Sequence, residues 1–331
     1  MRSVLITGGA GYIGSHASKA VARAGMIPIV YDNLSSGRPE AVKWGPLEIG
    51  DIGDKNLLAE VIARHRPVAV MHFAGQIYVG ESTTEPIAYY LTNVAGTAAL
   101  LDAMRVADVR YLVFSSSCAV YGLPEQMPLA EDTPLAPVNP YGMSKLMAER
   151  MIADCCAAYG LTTAILRYFN AAGADPDGDI GENHDPEPHL IPRALKVAAG
   201  ILPSLEIHGA DYATNDGTCV RDFIHVGDLA DAHVAALAKI RETSRSVTLN
   251  LGTGRGHSVR EVVAAVERIT GRHVPIKEGV RRPGDLPVLV AEAERARSLG
   301  LLPNLRGLDE IIATAWRWEQ TRQSTRKVVA Q

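Results

Sequence analysis

An α/β fold, a doubly wound parallel sheet with helices on both faces, is what this sequence predicts, and three observations point to it. Ser3-Val4-Leu5-Ile6-Thr7 is an apolar, β-branched run that enters Gly8-Gly9-Ala10-Gly11-Tyr12-Ile13-Gly14 and then a helical stretch over 15–24. A second apolar run, 28–32, ends in an acid, Asp32, eighteen residues after Gly14. Strand-like and helical runs then keep alternating, and repeated βα units build a parallel sheet. At 331 residues the chain exceeds the usual single core, so a smaller α/β domain is expected beside the sheet.

The first turn is a pyrophosphate cradle. Gly8, Gly11 and Gly14, with Tyr12 and Ile13 between them, let backbone approach a phosphate while the following helix offers its N-terminal N–H groups. That makes the sheet Rossmann-type. Asp32, with Asn33 beside it, can accept hydrogen bonds from both hydroxyls of a ribose and would repel a 2′-phosphate, which favours NAD over NADP. Arg38 downstream leaves the second cofactor open.

The alternation continues through a strand at 47–52, a helix at 54–64 and a strand at 68–73. Ligands on such sheets bind at the carboxyl ends of strands. Asp51 and Ile52 are therefore expected near an adenine, and Phe73, Ala74 and Gly75 against the cofactor backbone. His72 reads as a packed histidine without a role. The run 86–104 reads as helical, with Asn93 among apolar residues. A strand at 109–114 then leads into Ser115-Ser116-Ser117, where substrate should lie.

Asn139-Pro140 is a helix-start signal that puts Tyr141 and Lys145 on one face of the first turns. An ammonium about 4 Å from a phenol, at an effective dielectric of about 20, favours the phenolate by roughly 4 kcal/mol. That is about three pKa units. Tyr141 thus becomes a general base for a sugar or alcohol hydroxyl, with Ser117 placed to reach the same oxygen.

Composition excludes other classes. Lys and Arg number 33 against 37 Asp and Glu, a net charge of −4, and neither sign forms a block that could follow a nucleic acid or a lipid surface. No apolar run is long enough to span a bilayer, and the N-terminus enters a strand directly. Cys118, Cys155, Cys156 and Cys219 have neither metal-type spacing nor a disulfide framework, so reduced thiols in the cytoplasm are expected. Past Gly173 the texture becomes turn-rich, Ala174-Asp175-Pro176-Asp177-Gly178-Asp179-Ile180-Gly181-Glu182, the entry to a substrate domain. His184, Asp185, Glu187 and His189 hint at a metal, but alternating prolines and the lack of helical spacing assign them to a solvent loop, and no metal is expected.

Three motifs in order, the glycine loop, Ser117 and Tyr141-Gly142-Met143-Ser144-Lys145, make the chain resemble the extended short-chain dehydrogenase/reductase family. Within it, the chain looks most like the UDP-glucose 4-epimerases. The likeness rests on His72-Phe73-Ala74-Gly75, Val79-Gly80-Glu81-Ser82, Arg167-Tyr168-Phe169-Asn170-Ala171-Ala172-Gly173, Val220-Arg221-Asp222-Phe223-Ile224-His225-Val226 and Arg282-Pro283-Gly284-Asp285-Leu286-Pro287.

The resemblance implies reversible C4 epimerisation of a UDP-sugar through a transient 4-keto sugar, by an enzyme that holds NAD throughout. Ser117, Tyr141 and Lys145 would be catalytic, and Asn93, Ser115 and Tyr168 would join the cofactor set. Asn170, His189, Leu190, Arg221, Arg282, Asp285 and Leu289 would face substrate, the two arginines on the diphosphate and Asp285 on the uridine ribose. It also implies a homodimer through helices near 96–107 and 141–158, with Leu146, Met147, Met151 and Ile152 at the interface. The cofactor domain would take residues 1–173 and a return segment at 220–251, the UDP-sugar domain 174–219 and 252–331.

Three positions depart from the family pattern. Ile77 stands where many relatives carry lysine, Leu289 where several have a tyrosine wall, and His189 where some have asparagine. UDP-N-acetylhexosamine or UDP-pentose epimerisation therefore stays open, followed by a nucleotide-sugar 4,6-dehydratase or a dehydrogenase. The dehydratase is disfavoured because Cys118 and Ala119 occupy the positions of its acid–base pair. A noncatalytic NAD-binding protein is disfavoured by the intact Ser117, Tyr141 and Lys145.

Overall fold

A computed structural model describes residues 2–282 and 284–329; Pro283, inside the Arg282 motif, lies outside the described residues. The first half runs β1 (Ser3–Thr7), α1 (Tyr12–Arg23), β2 (Ile27–Asp32), β3 (Leu47–Ile49), α2 (Lys55–His65), β4 (Ala69–His72), α3 (Val79–Thr84), α4 (Pro86–Tyr89), α5 (Gly96–Val106) and β5 (Tyr111–Ser117). There follow α6 (Pro140–Tyr159), β6 (Thr162–Tyr168), β7 (Asn170–Ala172), α7 (Leu190–Ala198), β8 (Leu205–His208), β9 (Val220–His225), α8 (Val226–Thr243) and β10 (Val247–Leu251). The chain ends with β11 (Gly256–Ser258), α9 (Val259–Thr270), β12 (Ile276–Gly279), β13 (Val288–Leu289), α10 (Glu294–Ser298) and α11 (Leu308–Val329).

Seven strands pair in the order β10-β6-β5-β4-β1-β2-β3, all parallel. The chain moves outward from β1 to β3, then returns to β4 on the other side of β1. This reversal leaves a crevice at the carboxyl ends of β1 and β4, the place where such sheets take ligands. Both faces are covered, as a parallel sheet requires. One core packs Val21 of α1 and Leu229, Ala236 and Ile240 of α8 on Val4, Ile6, Met71 and Leu166. The opposite core packs Leu58 and Ile62 of α2, Leu100 and Met104 of α5 and Ile152 of α6 on Leu5, Val70 and Leu112. The smaller part has its own core, in which α7, α9 and α11 contribute Ile191, Leu195, Val262, Val266 and Ile312.

Several expectations change on folding. α1 begins at Tyr12, so Gly14 lies inside the helix. The serines continue strand β5, with Ser115, Ser116 and Ser117 paired to Leu166, Arg167 and Tyr168. The expected single helix at 86–104 is broken by a π-helical turn, Tyr90–Ala95, that carries Asn93. Asn93 is buried there, accepting from the Gln76 amide at 2.8 Å and donating to Ser144 Oγ at 2.9 Å. Residues 223–226 do not open the return to the large sheet: β9 pairs with β7, β11 and β13, and only β10 rejoins β6. Leu146 and Ile152, expected at an interface, are instead core residues of this chain.

α6 is capped as its sequence implies, Asn139 accepting from the Gly142 amide at 2.8 Å, with Pro140 in the first turn. Between two and three turns further along, Glu149 anchors the helix to the sheet. It accepts two bonds from Arg167, at 3.0 and 2.6 Å, and one from Ser116 Oγ at 2.5 Å, all three residues being buried. Arg167 also donates to Tyr121 at 3.1 Å, whose hydroxyl donates to Asn250 at 2.7 Å. Breaking such a pair leaves an uncompensated buried charge, so Arg167→Met is expected to lower stability by about 3–5 kcal/mol. Urea unfolding would show it; a loss under about 1 kcal/mol would mean that water reaches Glu149.

Candidate active site

Every residue expected to be catalytic or to bind cofactor or substrate, with the exception of Asn93, lines one continuous cleft of about 730 Å³ that runs across the carboxyl edge of the large sheet and under the smaller part. At one end lies the glycine turn. Gly8 adopts φ +72, and a Cβ there would lie 2.5 Å from the Ala74 amide nitrogen; a Cβ on Gly14 would lie 2.2 Å from the Gly8 carbonyl oxygen. Only glycine lets β1, α1 and the end of β4 meet so closely. The Gly11 cap offers α1 no side-chain acceptor, so the first amides of that helix remain for an anion.

Asp32 ends β2 in the cleft wall. Its carboxylate is held by the Ala10 amide at 3.0 Å and the Leu34 amide at 2.9 Å, while burial raises its pKa against those bonds. Asn33 donates to Asp51 at 2.8 Å. These residues fit a dinucleotide: a pyrophosphate-sized backbone cradle with free amides, and an acid one strand away with its carboxylate positioned. Arg38 is not among the residues lining the cleft.

Ser117, Tyr141 and Lys145 meet at the middle of the cleft. Burial pushes the Tyr141 phenol up to about 12, and the hydrogen bond with Ser117 pulls it down in part. Burial pushes Lys145 down to about 8, opposed by the charge of Glu149. The ammonium is held by the strand beneath rather than hydrogen-bonded to the phenol. It donates to the Ser115 carbonyl at 2.9 Å and sits 5.1 Å from the centre of the Phe114 ring. The Ser115 hydroxyl is hydrogen-bonded to Tyr168, and the Tyr89 ring lies edge-on to Tyr141 at 6.5 Å.

At the far end, Arg221 donates to the carbonyls of Val220 at 2.8 Å and Leu286 at 2.9 Å and pairs with Asp285. The two residues expected on diphosphate and ribose are thus one partly buried ion pair. Arg282, His189, Leu190 and Leu289 complete that end of the cleft. Asn170 also lines it, but its amide donates to the Asp222 carbonyl at 3.0 Å.

The loop before α7 is not the solvent loop expected. Glu182 is buried, and the side chains of Glu187 and His184 are 3% and 10% exposed. Gln76, Tyr78, Arg193 and His208, which none of the motifs marks as site residues, also line the cleft. Arg193 carried a usable signal, lying one turn beyond His189 and so on the same face. Glu182, Gln76 and Tyr78 had none, because loop positions are placed by tertiary packing.

A model of the NAD dependent epimerase/dehydratase family matches residues 4–252. The chain belongs to that family. Across 317 residues it is 49% identical to a UDP-glucose 4-epimerase of Rhizobium leguminosarum bv. trifolii, covering 96% of this chain and 97% of that protein. It is similar to the crystal structure of a Brucella ovis UDP-glucose 4-epimerase in complex with NAD, with a TM-score of 0.93, 52% identity, and coverage of 96% of this chain and 98% of that one. It is also similar to a Stenotrophomonas maltophila UDP-glucose-4-epimerase with bound NAD and formylated UDP-arabinopyranose, with a TM-score of 0.94, 41% identity, and coverage of 98% and 100%.

Lys145 has a pH signature in nucleotide-free protein. Its folded pKa, about 8, lies below its ordinary 10.5, so between these values the unfolded chain binds more protons and stability rises with pH. The burial penalty, on the order of 3 kcal/mol, is fully present below about pH 8 and relieved toward 10.5. Lys145→Met should therefore be more stable than the parent at pH 7, with the gap closing as pH rises to 10. A constant gap in urea midpoints would show that Lys145 titrates normally.

Proposed function

We propose that this enzyme interconverts UDP-glucose and UDP-galactose by inverting C4′ of the sugar, with NAD held throughout the turnover. What supports this is the cleft: the glycine turn and Asp32, then Ser117, Tyr141 and Lys145, and Arg221, Arg282 and Asp285 all line one continuous space. NAD, when bound, supplies the acceptor and donor of hydride for the reacting carbon. The glycine loop would hold its pyrophosphate, Asp32 and Asn33 its adenine ribose, Asp51 and Ile52 its adenine, and Phe73, Ala74, Gly75, Ser115, Lys145 and Tyr168 its remainder.

Proton handling falls to the chain's own residues. Tyr141 takes and returns the proton of the 4′-hydroxyl, and Ser117 hydrogen-bonds the same oxygen. A phenol pushed up to about 12 is a weak base at neutral pH, so its activation needs positive charge, of which Lys145 is the chain's own source. Inversion requires the sugar to present both faces, so binding energy must come from the nonreacting nucleotide. Arg221 and Arg282 lie at the cleft end suited to grip the diphosphate, with Asp285 beside them for the uridine ribose. Asn170, His189, Leu190 and Leu289 would border the sugar.

Water elimination has no acid–base pair here. Cys118 is buried and its thiol pushed up to about 12, and Ala119 has nothing to titrate. We assign the seven-stranded sheet to the cofactor and the smaller sheets to the UDP-sugar. All four cysteines are unpaired, which accords with a cytoplasmic location, and no described helix is long and apolar enough to cross a membrane. A homodimer through the outer faces of α5 and α6 would cover exposed Val106 and Met147. Light scattering should then give twice the chain mass, and a monomer at micromolar concentration would exclude that dimer.

Purified protein given UDP-galactose, UDP-N-acetylgalactosamine or UDP-arabinopyranose, without added NAD, should convert UDP-galactose fastest, read from anomeric proton signals. Tyr141→Phe should cut kcat about 10²–10⁴-fold with little change in KM. A 4-keto-6-deoxy product or stoichiometric NADH instead of the epimer would overturn the assignment.

A further inference from the structure

Glu182, His184, Glu187 and His189 fall within eight consecutive residues and converge on one point beside the cleft. We propose that they form a four-ligand site for a divalent transition cation of the zinc type, one per chain, which ties the loop between β7 and α7 to the cleft wall.

The geometry suits that ion. His184 Nδ1 lies 3.0 Å from Glu182 Oε1 and 3.7 Å from Glu187 Oε1; His189 Nδ1 lies 3.6 Å from the same Glu187 oxygen and is bonded to Glu182 Oε1. The four donor atoms all fall within 4.8 Å of one another. Zinc bound to imidazole nitrogen and carboxylate oxygen at about 2.0–2.2 Å in a tetrahedron separates its donors by about 3.4 Å, so small shifts would seat the ion. Two carboxylates and two neutral imidazoles around a divalent ion sum to zero charge, which suits a site whose carboxylates are withdrawn from water while His189 stands at its exposed edge. Imidazole with carboxylate selects a transition cation over magnesium, which takes oxygen ligands in an octahedron.

A second observation points the same way. Glu187 has a side chain only 3% exposed, and its Oε2 is buried without a hydrogen-bond partner, with the Lys196 ammonium 4.0 Å away. Its Oε1 accepts from the His189 amide at 3.2 Å, so one buried oxygen of this carboxylate is left without a hydrogen bond, which is unusual unless something else completes it. The Asp175, Asp177 and Asp179 cluster nearby differs, because the Lys19 ammonium already fills it at 2.7, 2.7 and 3.0 Å.

The site is placed to matter to the cleft. Glu182, His184 and His189 all line it, and His189 immediately precedes α7. The His184 ring stands edge-on to Tyr12 at 6.3 Å and to Tyr78 at 6.2 Å, so an ion here would join the substrate-side loop to the first turn of α1. A closed set of four protein ligands is the mark of a structural rather than a catalytic site.

The test uses the full chain after chelator treatment and desalting. Cobalt(II) is titrated while the visible band of tetrahedral coordination is followed, and bound zinc is measured per chain after equilibration. The expected result is a tetrahedral band saturating at one cobalt per chain, displaced by zinc. His184→Gln and Glu187→Gln should each weaken binding at least tenfold, as even outer-shell losses cost 10–100-fold. His273→Gln, at an exposed histidine paired with Glu267, should leave binding unchanged. Circular dichroism confirms folding, and because two ligands are tested separately, one misfolded variant does not remove the test. Stoichiometry well below one, absence of the band, or binding that survives both substitutions would overturn the site.

Discussion

Everything in the cleft depends on one close approach of backbone to backbone. The Gly8 carbonyl fits under Gly14, and Gly8 itself lies against Ala74, at separations that leave no room for a side chain. That contact joins the end of β1, the start of α1 and the end of β4 at the point where strand order reverses. A methyl group at either glycine would force these elements apart and take the free amides of α1 out of the crevice. The sheet supplies the crevice, but the two missing Cβ atoms make it deep enough for a ligand backbone.

α6 carries the chemistry away from that point at one residue per turn. Asn139 and Pro140 set where the helix begins, and Tyr141, Lys145 and Glu149 follow at i+4 spacing along its buried side. Each meets a different part of the sheet: Tyr141 the Ser117 hydroxyl, Lys145 the Ser115 carbonyl, Glu149 the Arg167 guanidinium and Ser116. A single helix thus registers three side chains against three consecutive serines of β5. The burial that gives this precision also raises the phenol and lowers the ammonium, so the two groups are tuned by the interior before any ligand charge acts on them.

The smaller part works by a different logic. Its strands are short, and polar residues around them pair among themselves: Arg221 with Asp285, and Asp222 with the amides of Thr253 and Gly254. These pairs fix the loops that carry Arg221 and Asp285 into the lining of the cleft.

What the sequence determined by itself was whatever depends on local rules. The strand, glycine turn and helix around Gly8, the acid at Asp32, the cap at Asn139 and the Tyr141 and Lys145 face follow from spacing within about twenty residues. The repeated βα pattern likewise specified a parallel sheet. Tertiary structure decided what depends on partners far along the chain. Lys145 turns to the Ser115 carbonyl because the strand below offers an acceptor thirty residues away. The run around Asn93 opens into a π-helical turn and buries that amide against Gln76 and Ser144. β9 leaves the large sheet because β7, β11 and β13 pair with it. His184, Asp185, Glu187 and His189 read as a solvent loop because prolines interrupt any period, and only the folded loop brings His184, Glu187 and His189 together with Glu182, with the His184 ring against Tyr12 and Tyr78. Periodicity records which way a residue faces within its own element; it carries no information about which distant group will be waiting there.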